Sequence, residues 1–570
     1  MAAPRRPNVL IMLADDLGFS DVGCFGSEIQ TPNIDRLAAE GMRLTDFHAA
    51  SACSPTRSML LSGTDHHIAG LGTMAERLKE EHQGRPGYEG YLNDRVVSLQ
   101  ECLRDGGYET LMAGKWHLGR TPDRVPAARG FERSFSFLNG GHNHFGWEPA
   151  YEDPETIPHI AKVLERMYYR DHDPVPPDHL PEGFYSTDFF TKTLLGFLQD
   201  RVERNESRPF FAYLPFTAPH WPLQAPKASV KKYRGMYDEG PEALRQRRLT
   251  QLKKLGLVPE DAVPAPVVAK DEDGSDTVPW AEMTEEERRV SCCKMEVYAG
   301  MVDRMDENVG YILDFLESTN QMDDTVIIFF SDNGAEGAQF EAWPLAYQQL
   351  DSHVERYYDN RIENIGAFNS FTWYGSEWAS ASTAPGLLYK MFTSEGGIRV
   401  PFVIRAPGLV SSTTTGASLG RIDSSFCTVM DIMPTLLDIC GVSHPGNMYR
   451  SHSVAPMTGK SWLPYLQGEA SAIHDEDHVT GWELFGRRAI RQGGWKGLYI
   501  PWPYGPNKWQ LFDVLNDPGE THDRAEDYPE KLERLIALFG QYCAQNGVIT
   551  ECATPASRAS HSRTVNAVRL

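Results

Sequence analysis

The chain has 570 residues, 41% hydrophobic and 23% charged, with 78 acidic residues against 55 basic ones and a formal net charge of -23. This length exceeds what a single hydrophobic core serves, so one large domain with a smaller companion is expected, and the apolar content excludes a chain too polar to fold. The acidic balance excludes nucleic acid as a main partner, because such binders carry a basic footprint, and it reads instead as a solvated surface.

Residues 8–14, NVLIMLA, form a continuous apolar run that ends in Asp15 and Asp16. That is how a strand buried on both faces looks when it feeds a functional loop. The run is too short for a secretory signal or a membrane span, which places the chain in the cytoplasm with no membrane partner. Nine cysteines without C-x-x-C spacing exclude zinc fingers and a dense disulfide framework. Thr31-Pro32 opens a helix with apolar spacing through Ile34, Leu37 and Ala38 and a stop at Gly41. Further along, a helix ending at Gly106-Gly107 precedes a strand that leads to Lys115 and His117. Residues 221–290 turn charged and Pro-rich and predict an insertion over the surface. MVDRMDENVGYILDFLEST, from 301, is an amphipathic helix, and TVIIFFSDNG, from 325, a strand with its loop. Residues 339–386 hold Trp343, Tyr347, Tyr357, Tyr358, Phe371, Trp373 and Trp378, which wall a cleft or serve packing. A helix near 431–442 closes the large domain, and RRAIRQGGWKGLYI and WQLFDVLNDPGE read as antiparallel strands with tight turns before a loose tail, 553–570. Such alternation predicts a layered α/β fold with ligands beyond the carboxyl ends of the strands.

The chemistry concentrates around Cys53-Ser54-Pro55-Thr56-Arg57. Asp15-Asp16 at one strand end and Asp332-Asn333 at another supply three carboxylates and an amide oxygen, a donor set that suits a hard divalent cation. The segment resembles the C-x-P-x-R signature of the type I sulfatases, of the alkaline phosphatase superfamily. Gly114-Lys115-Trp116-His117-Leu118-Gly119, Ala218-Pro219-His220, Ser331-Asp332-Asn333-Gly334, Gly396-Gly397-Ile398-Arg399-Val400-Pro401 and the ending LFDVLNDPGE resemble further blocks of that family, in order.

The resemblance implies a large mixed β-sheet sandwiched by helices, with a smaller C-terminal domain carrying an antiparallel sheet and a helix. We expect the catalytic domain over 1–445, with 221–290 and 339–386 as insertions, and the smaller domain over 446–570. It further implies a bacterial-type arylsulfatase in which Cys53 is oxidised to formylglycine (3-oxoalanine) by a formylglycine-generating or an anaerobic sulfatase-maturating enzyme. Asp15, Asp16, Asp332, Asn333 and the modified Cys53 would hold calcium, with magnesium as the alternative. One hydroxyl of the hydrated aldehyde attacks sulfur while Asp332 helps remove its proton. The second hydroxyl then expels sulfate from the covalent adduct, a route closed to a serine ester. Arg57 would hold the formylglycine and its metal environment, Lys115 a sulfate oxygen, and His117 the hydrate during elimination. Lys390 and His220 would contact the ester oxygen, with His220 as the leaving-group acid. A phosphonate or phosphate ester hydrolase of the same superfamily is the alternative, and an inactive binding protein would lack these residues. The lack of a signal-like run and the segment GTDHHIAGLGTMAE, which resembles bacterial-type arylsulfatases, favour small aryl or alkyl sulfates over polysaccharides. Within it, His66 and His67 either guide substrate or pack behind the signature helix, and Cys292-Cys293 read as buried helix residues.

Overall fold

The computed structural model describes residues 6–150, 167–270, 277–337, 353–410 and 420–549. Its main sheet has ten strands: β1 Asn8–Ala14, β2 Met42–Leu44, β3 Glu109–Lys115, β4 Arg133–Phe137, β5 Tyr168–Arg170, β6 Asp173–Val175, β7 Phe210–Pro215, β8 Thr325–Ser331, β9 Phe402–Arg405 and β10 Arg421–Asp423. Their order is β10-β2-β9-β8-β1-β7-β3-β4-β5-β6. The central five, β8, β1, β7, β3 and β4, run parallel. Strand β9 runs antiparallel to β8 and β2, and β5 and β6 form an antiparallel edge.

Strand β1 explains the layering. All seven of its residues are buried, and successive side chains point to opposite faces. Leu10, Met12 and Ala14 join a core with Ile34 and Leu37 of α1 (Pro32–Glu40), Leu194 and Leu198 of α4 (Ser186–Glu203), and Met301 and Met305 of α6 (Glu285–Ser318). Val9, Ile11 and Leu13 join a second core with Met59 and Leu60 of α2 (Cys53–Ser62), Leu99 and Leu103 of α3 (Leu99–Asp105), and Leu436 of α7 (Ile432–Cys440). Helices on both faces leave no solvent-facing side, which is why the strand sequence does not alternate.

The charged stretch 221–290 does not simply lie over the surface. Helix α5 (Gly240–Lys254) buries Leu244, Leu249 and Leu252 in the first core, together with Arg245 and Arg248. Arg245 donates to the carbonyls of Pro385 and Gly386, both at 3.1 Å, and Arg248 Nε donates to Glu28 at 2.9 Å. Helix α6 starts inside the same stretch, where Thr284 and Glu287 form a capping box.

Four antiparallel strands follow in a meander: β11 Val479–Leu484, β12 Arg487–Gln492, β13 Trp495–Tyr499 and β14 Trp509–Asp513. Helix α8 (Pro529–Asn546) covers them through Leu535, Phe539 and Tyr542 against Ile490 and Leu511. Val454, Trp462, Leu466 and Ile473, between α7 and β11, belong to the second core of the main sheet. The expected loose tail 553–570 lies outside the described residues, as do Trp343 and Tyr347. Among the described residues no helix is long and apolar enough to cross a membrane.

Candidate active site

The parallel strands end at one edge of the sheet, and the loops leaving them carry the predicted residues. Strand β1 runs directly into Asp15 and Asp16, β8 into Asp332 and Asn333, and β7 into the loop bearing His220, while β3 ends on Lys115. Helix α2 begins at Cys53, so its N-terminal dipole end faces the same edge, and Arg57 follows one turn later. Asp16 and His117 adopt positive φ values of 68° and 56°, as do Leu388 and Met391 on either side of Lys390, at 59° and 74°. Such non-glycine strain, of order 1–3 kcal/mol per residue, clusters where a site over-determines its backbone.

The side chains interlock. Arg57, fully buried, donates Nε and Nη2 to Asp332 Oδ2 at 2.9 and 2.7 Å and Nη1 to the Lys115 carbonyl at 2.9 Å, and its Nη2 faces Asp15 at 3.4 Å. Lys115 Nζ donates to both oxygens of Asp15, at 2.9 and 2.7 Å. Lys390 Nζ sits 2.9 Å from Asp16 Oδ2 and 2.9 Å from Glu336 Oε2. Asn333 Nδ2 donates to Asp16 Oδ1 at 2.7 Å, the Cys53 thiol lies 3.4 Å from that oxygen, and His220 Nε2 lies 3.5 Å from Asp16 Oδ2. Nine of the ten predicted residues therefore share direct contacts. His117 stands apart, bonded through Nε2 to Glu76 Oε1 at 3.1 Å.

The donor set fits a hard divalent cation. Ligand atoms of Asp15, Asp16, Cys53 and Asp332 lie within 4.8 Å of one another, all four residues buried. Asn333 Oδ1 is a buried acceptor without a hydrogen-bond partner among the described residues, and its Nδ2 bond to Asp16 brings it to this group. Oxygen donors of this kind select calcium or magnesium over softer ions.

Electrostatics sort the groups. Burial pushes the Asp15 carboxyl up to about 7 despite the ammonium of Lys115. Burial also pushes the Cys53 thiol well above its ordinary range, and Asp16 and Asp332 add to that, so an unmodified cysteine here stays a thiol. Burial works against the Lys390 ammonium, yet Asp16 and Glu336 carry it well above the usual range. Burial, with Lys390 and Lys115 adding, holds His220 neutral, and its Nδ1 donates to the Trp221 carbonyl at 2.6 Å. An acid's proton on Nε2 therefore needs an anion between those ammonium groups.

Sequence reasoning missed Glu76, Glu336 and His144. Glu336 follows Asp332 on the same loop, and His144 Nε2 donates to the His220 carbonyl at 2.8 Å. His66 and His67 pack behind the signature helix: His66 Nδ1 bonds the Leu71 carbonyl, and His67 bridges Asp65 and Glu483 at 2.8 and 3.3 Å. Of the aromatic stretch, Trp373 and Phe371 join Trp221 beside His220, with ring centroids 4.7–6.1 Å apart, while Trp378 packs against Tyr237 and Trp280. Cys292 is a buried helix residue facing the Tyr237 carbonyl, and Cys293 is half-buried beside it.

A family model described as Sulfatase matches residues 7–442. The chain belongs to the sulfatase family. This sulfatase is 49% identical over 552 residues to an uncharacterized sulfatase of Schizosaccharomyces pombe, spanning 96% of this chain and 95% of the relative. It is 36% identical over 465 residues to an arylsulfatase of Klebsiella aerogenes, spanning 81% of this chain and 92% of that enzyme. A crystal structure of Ps i-CgsB with k-i-k-neocarrahexaose superposes with a TM-score of 0.64 at 24% identity, covering 95% of this sulfatase and 94% of that chain, a likeness of fold. The ten-stranded mixed sheet with a C-terminal four-stranded sheet and helix is thus the sulfatase fold of the alkaline phosphatase superfamily, and the family reaction is hydrolysis of sulfate esters.

Proposed function

We propose that this sulfatase is an arylsulfatase that cleaves sulfate monoesters of small phenols and alcohols, using formylglycine made from Cys53 by a separate maturing enzyme and a calcium ion, with magnesium as the alternative. The observation that carries the reading is Cys53 itself: fully buried, on the first turn of α2, 3.4 Å from Asp16, with its thiol held protonated. A thiol so placed is a poor nucleophile and a poor metal ligand, so the position makes chemical sense once modified. The hydrated aldehyde would supply a hydroxyl nucleophile, and the cation would polarise the sulfate and lower that hydroxyl's pKa.

The chain's own residues carry the rest of the proposal. Asp15, Asp16, Asp332 and Asn333 hold the cation, and Asp332 takes the proton of the attacking hydroxyl. Arg57 keeps Asp332 and Asp15 in place by fork-shaped hydrogen bonding. Lys115 and Lys390 hold sulfate oxygens, and their desolvated charges count for more than they would in water. His117 accepts a proton during sulfate release. His220 protonates the leaving oxygen once anionic substrate lies between the lysines. Trp221, Trp373 and Phe371 beside His220 and the 36% identity to an arylsulfatase favour an aryl leaving group.

The test combines the mass of the peptide containing residue 53 with turnover of 4-nitrophenyl sulfate, with and without a chelator. Aldehyde in place of thiol, together with activity that the chelator abolishes and calcium restores, is the expected result. Active protein with an unmodified cysteine would refute the mechanism, and faster turnover of an aryl phosphonate or a sulfated glycan would refute the substrate class.

A further inference from the structure

We infer that Glu76 is the positioning residue of His117, fixing the imidazole so that Nδ1 is its proton-accepting atom; this rests on the reading above, in which residue 53 bears the reacting hydroxyls. Glu76 lies on the short turn Ala75–Arg77, far in sequence from His117, yet their side chains are 6% and 4% exposed and meet at 3.1 Å. A carboxylate only accepts hydrogen bonds, so the ring proton lies on Nε2, and Nδ1 is left as a bare lone pair. Among the described residues Nδ1 is buried without a hydrogen-bond partner, and so is Glu76 Oε2. A buried acceptor left without its bond is destabilising, a cost that a purely structural histidine has no reason to bear and a proton acceptor awaiting its donor does.

The surroundings point the same way. A Cβ at Gly140 would stand 3.1 Å from His117 Cε1 and 3.2 Å from Nε2, so the absence of a side chain there gives the ring its place beside Glu76. The charges facing the pair are Lys115 and Arg57 on the side of the imidazole and Arg120 beside Glu76. Burial and those cations disfavour an imidazolium, and Glu76 opposes them. In the step assigned to His117, a hydroxyl O–H breaks, an Nδ1–H bond forms, and Glu76 stays ionised while it stabilises the cation produced. Serine hydrolases arrange a carboxylate and a histidine to the same end.

The experiment compares Glu76→Gln, Glu76→Asp and Gly140→Ala with the wild type, each checked for modification at residue 53 and for its unfolding midpoint. Glu76→Gln should lower kcat for 4-nitrophenyl sulfate about 10–100-fold and lower KM with it, so that kcat/KM changes little, because sulfate release follows loss of the phenol; that is the usual cost of losing a partner behind a working side chain. It should also move the acid limb of kcat to lower pH, because the imidazole that acts in sulfate release loses its anion. Glu76→Asp should recover part of kcat, and Gly140→Ala, which crowds the ring while leaving Glu76 intact, should lower kcat as well. Wild-type kcat and an unmoved acid limb in Glu76→Gln would overturn the inference, as would losses that only track the unfolding midpoint. If Glu76→Gln does not fold, wild-type kcat in Gly140→Ala, where the ring is displaced from Glu76, decides against it. An active wild type with an unmodified Cys53 would instead sink the reading beneath it.

Discussion

Arg57 shows how much a single buried side chain can carry. It is fully buried, holds Asp332 through two hydrogen bonds, ties α2 to the end of β3 through the Lys115 carbonyl, and faces Asp15. Breaking a buried pair strands the remaining charge, so Arg57→Ala should cost about 3–5 kcal/mol, read by chemical denaturation. Arg57→Lys keeps the charge but not the fork and should restore only part of that loss; stability equal to wild type in the alanine variant would contradict this account. At this scale the sequence was legible wherever a residue sits inside a dense motif: Asp15, Asp16, Cys53, Arg57, Lys115, Asp332 and Asn333 lie side by side in the structure. Glu76 and Glu336 escaped because a lone glutamate on a loop looks like any solvated acid. What distinguishes them is a partner that only folding brings near, His117 for one and Lys390 for the other.

Between elements, the site depends on backbones that touch. A Cβ on Gly334 would lie 1.9 Å from the Gly396 carbonyl oxygen, and one on Gly396 would lie 2.0 Å from that of Leu388. The loops carrying Asn333 and Lys390 and the Gly396-Gly397 turn therefore stack with no room for a methyl group. Gly334→Ala should push Asn333 away from Asp16, so the calcium concentration giving half-maximal activity should rise about 10–100-fold, the scale seen when metal-ligand support is disturbed. Unchanged calcium dependence would show that the loops have slack. Elements with a strong pattern, β1 and β8 above all, were readable because double-sided burial leaves an unbroken apolar run. Helix α5 was not, because its buried face includes Arg245 and Arg248. Their compensation comes from carbonyls more than 100 positions away and from Glu28 and Asp21, and periodicity registers none of that.

At the scale of the molecule, the C-terminal sheet docks on the rest through charge as much as through apolar packing. His67, on the turn after the signature helix, pairs with Glu483 of β11, Asp46 with Arg491 of β12 at 2.7 Å, and Glu395 with Lys496 of β13 at 2.8 Å. Tyr542 of α8 donates to Asp65 at 2.9 Å. Burial alone would lower the His67 imidazole, but Asp65 and Glu483 hold it up at about 9. A folded pKa above the unfolded value of about 6.5 stabilises fully below that value and is lost as pH rises through about 9, a swing of about 3 kcal/mol. Unfolding free energy should thus fall between about pH 6.5 and 9, and His67→Gln should flatten that slope; an identical slope in the variant would exclude His67 as its source. Glu395 immediately precedes the Gly396-Gly397 turn, and Glu520, beyond β14, accepts its backbone N–H at 2.7 Å. A polypeptide released before residue 479 would lack Arg491 and Lys496, leaving the buried Asp46 and Glu395 with His48 as a side chain that still faces both. Truncation should therefore be felt at the Gly396-Gly397 turn, on which the loops carrying Asn333 and Lys390 stack, rather than at the cut end.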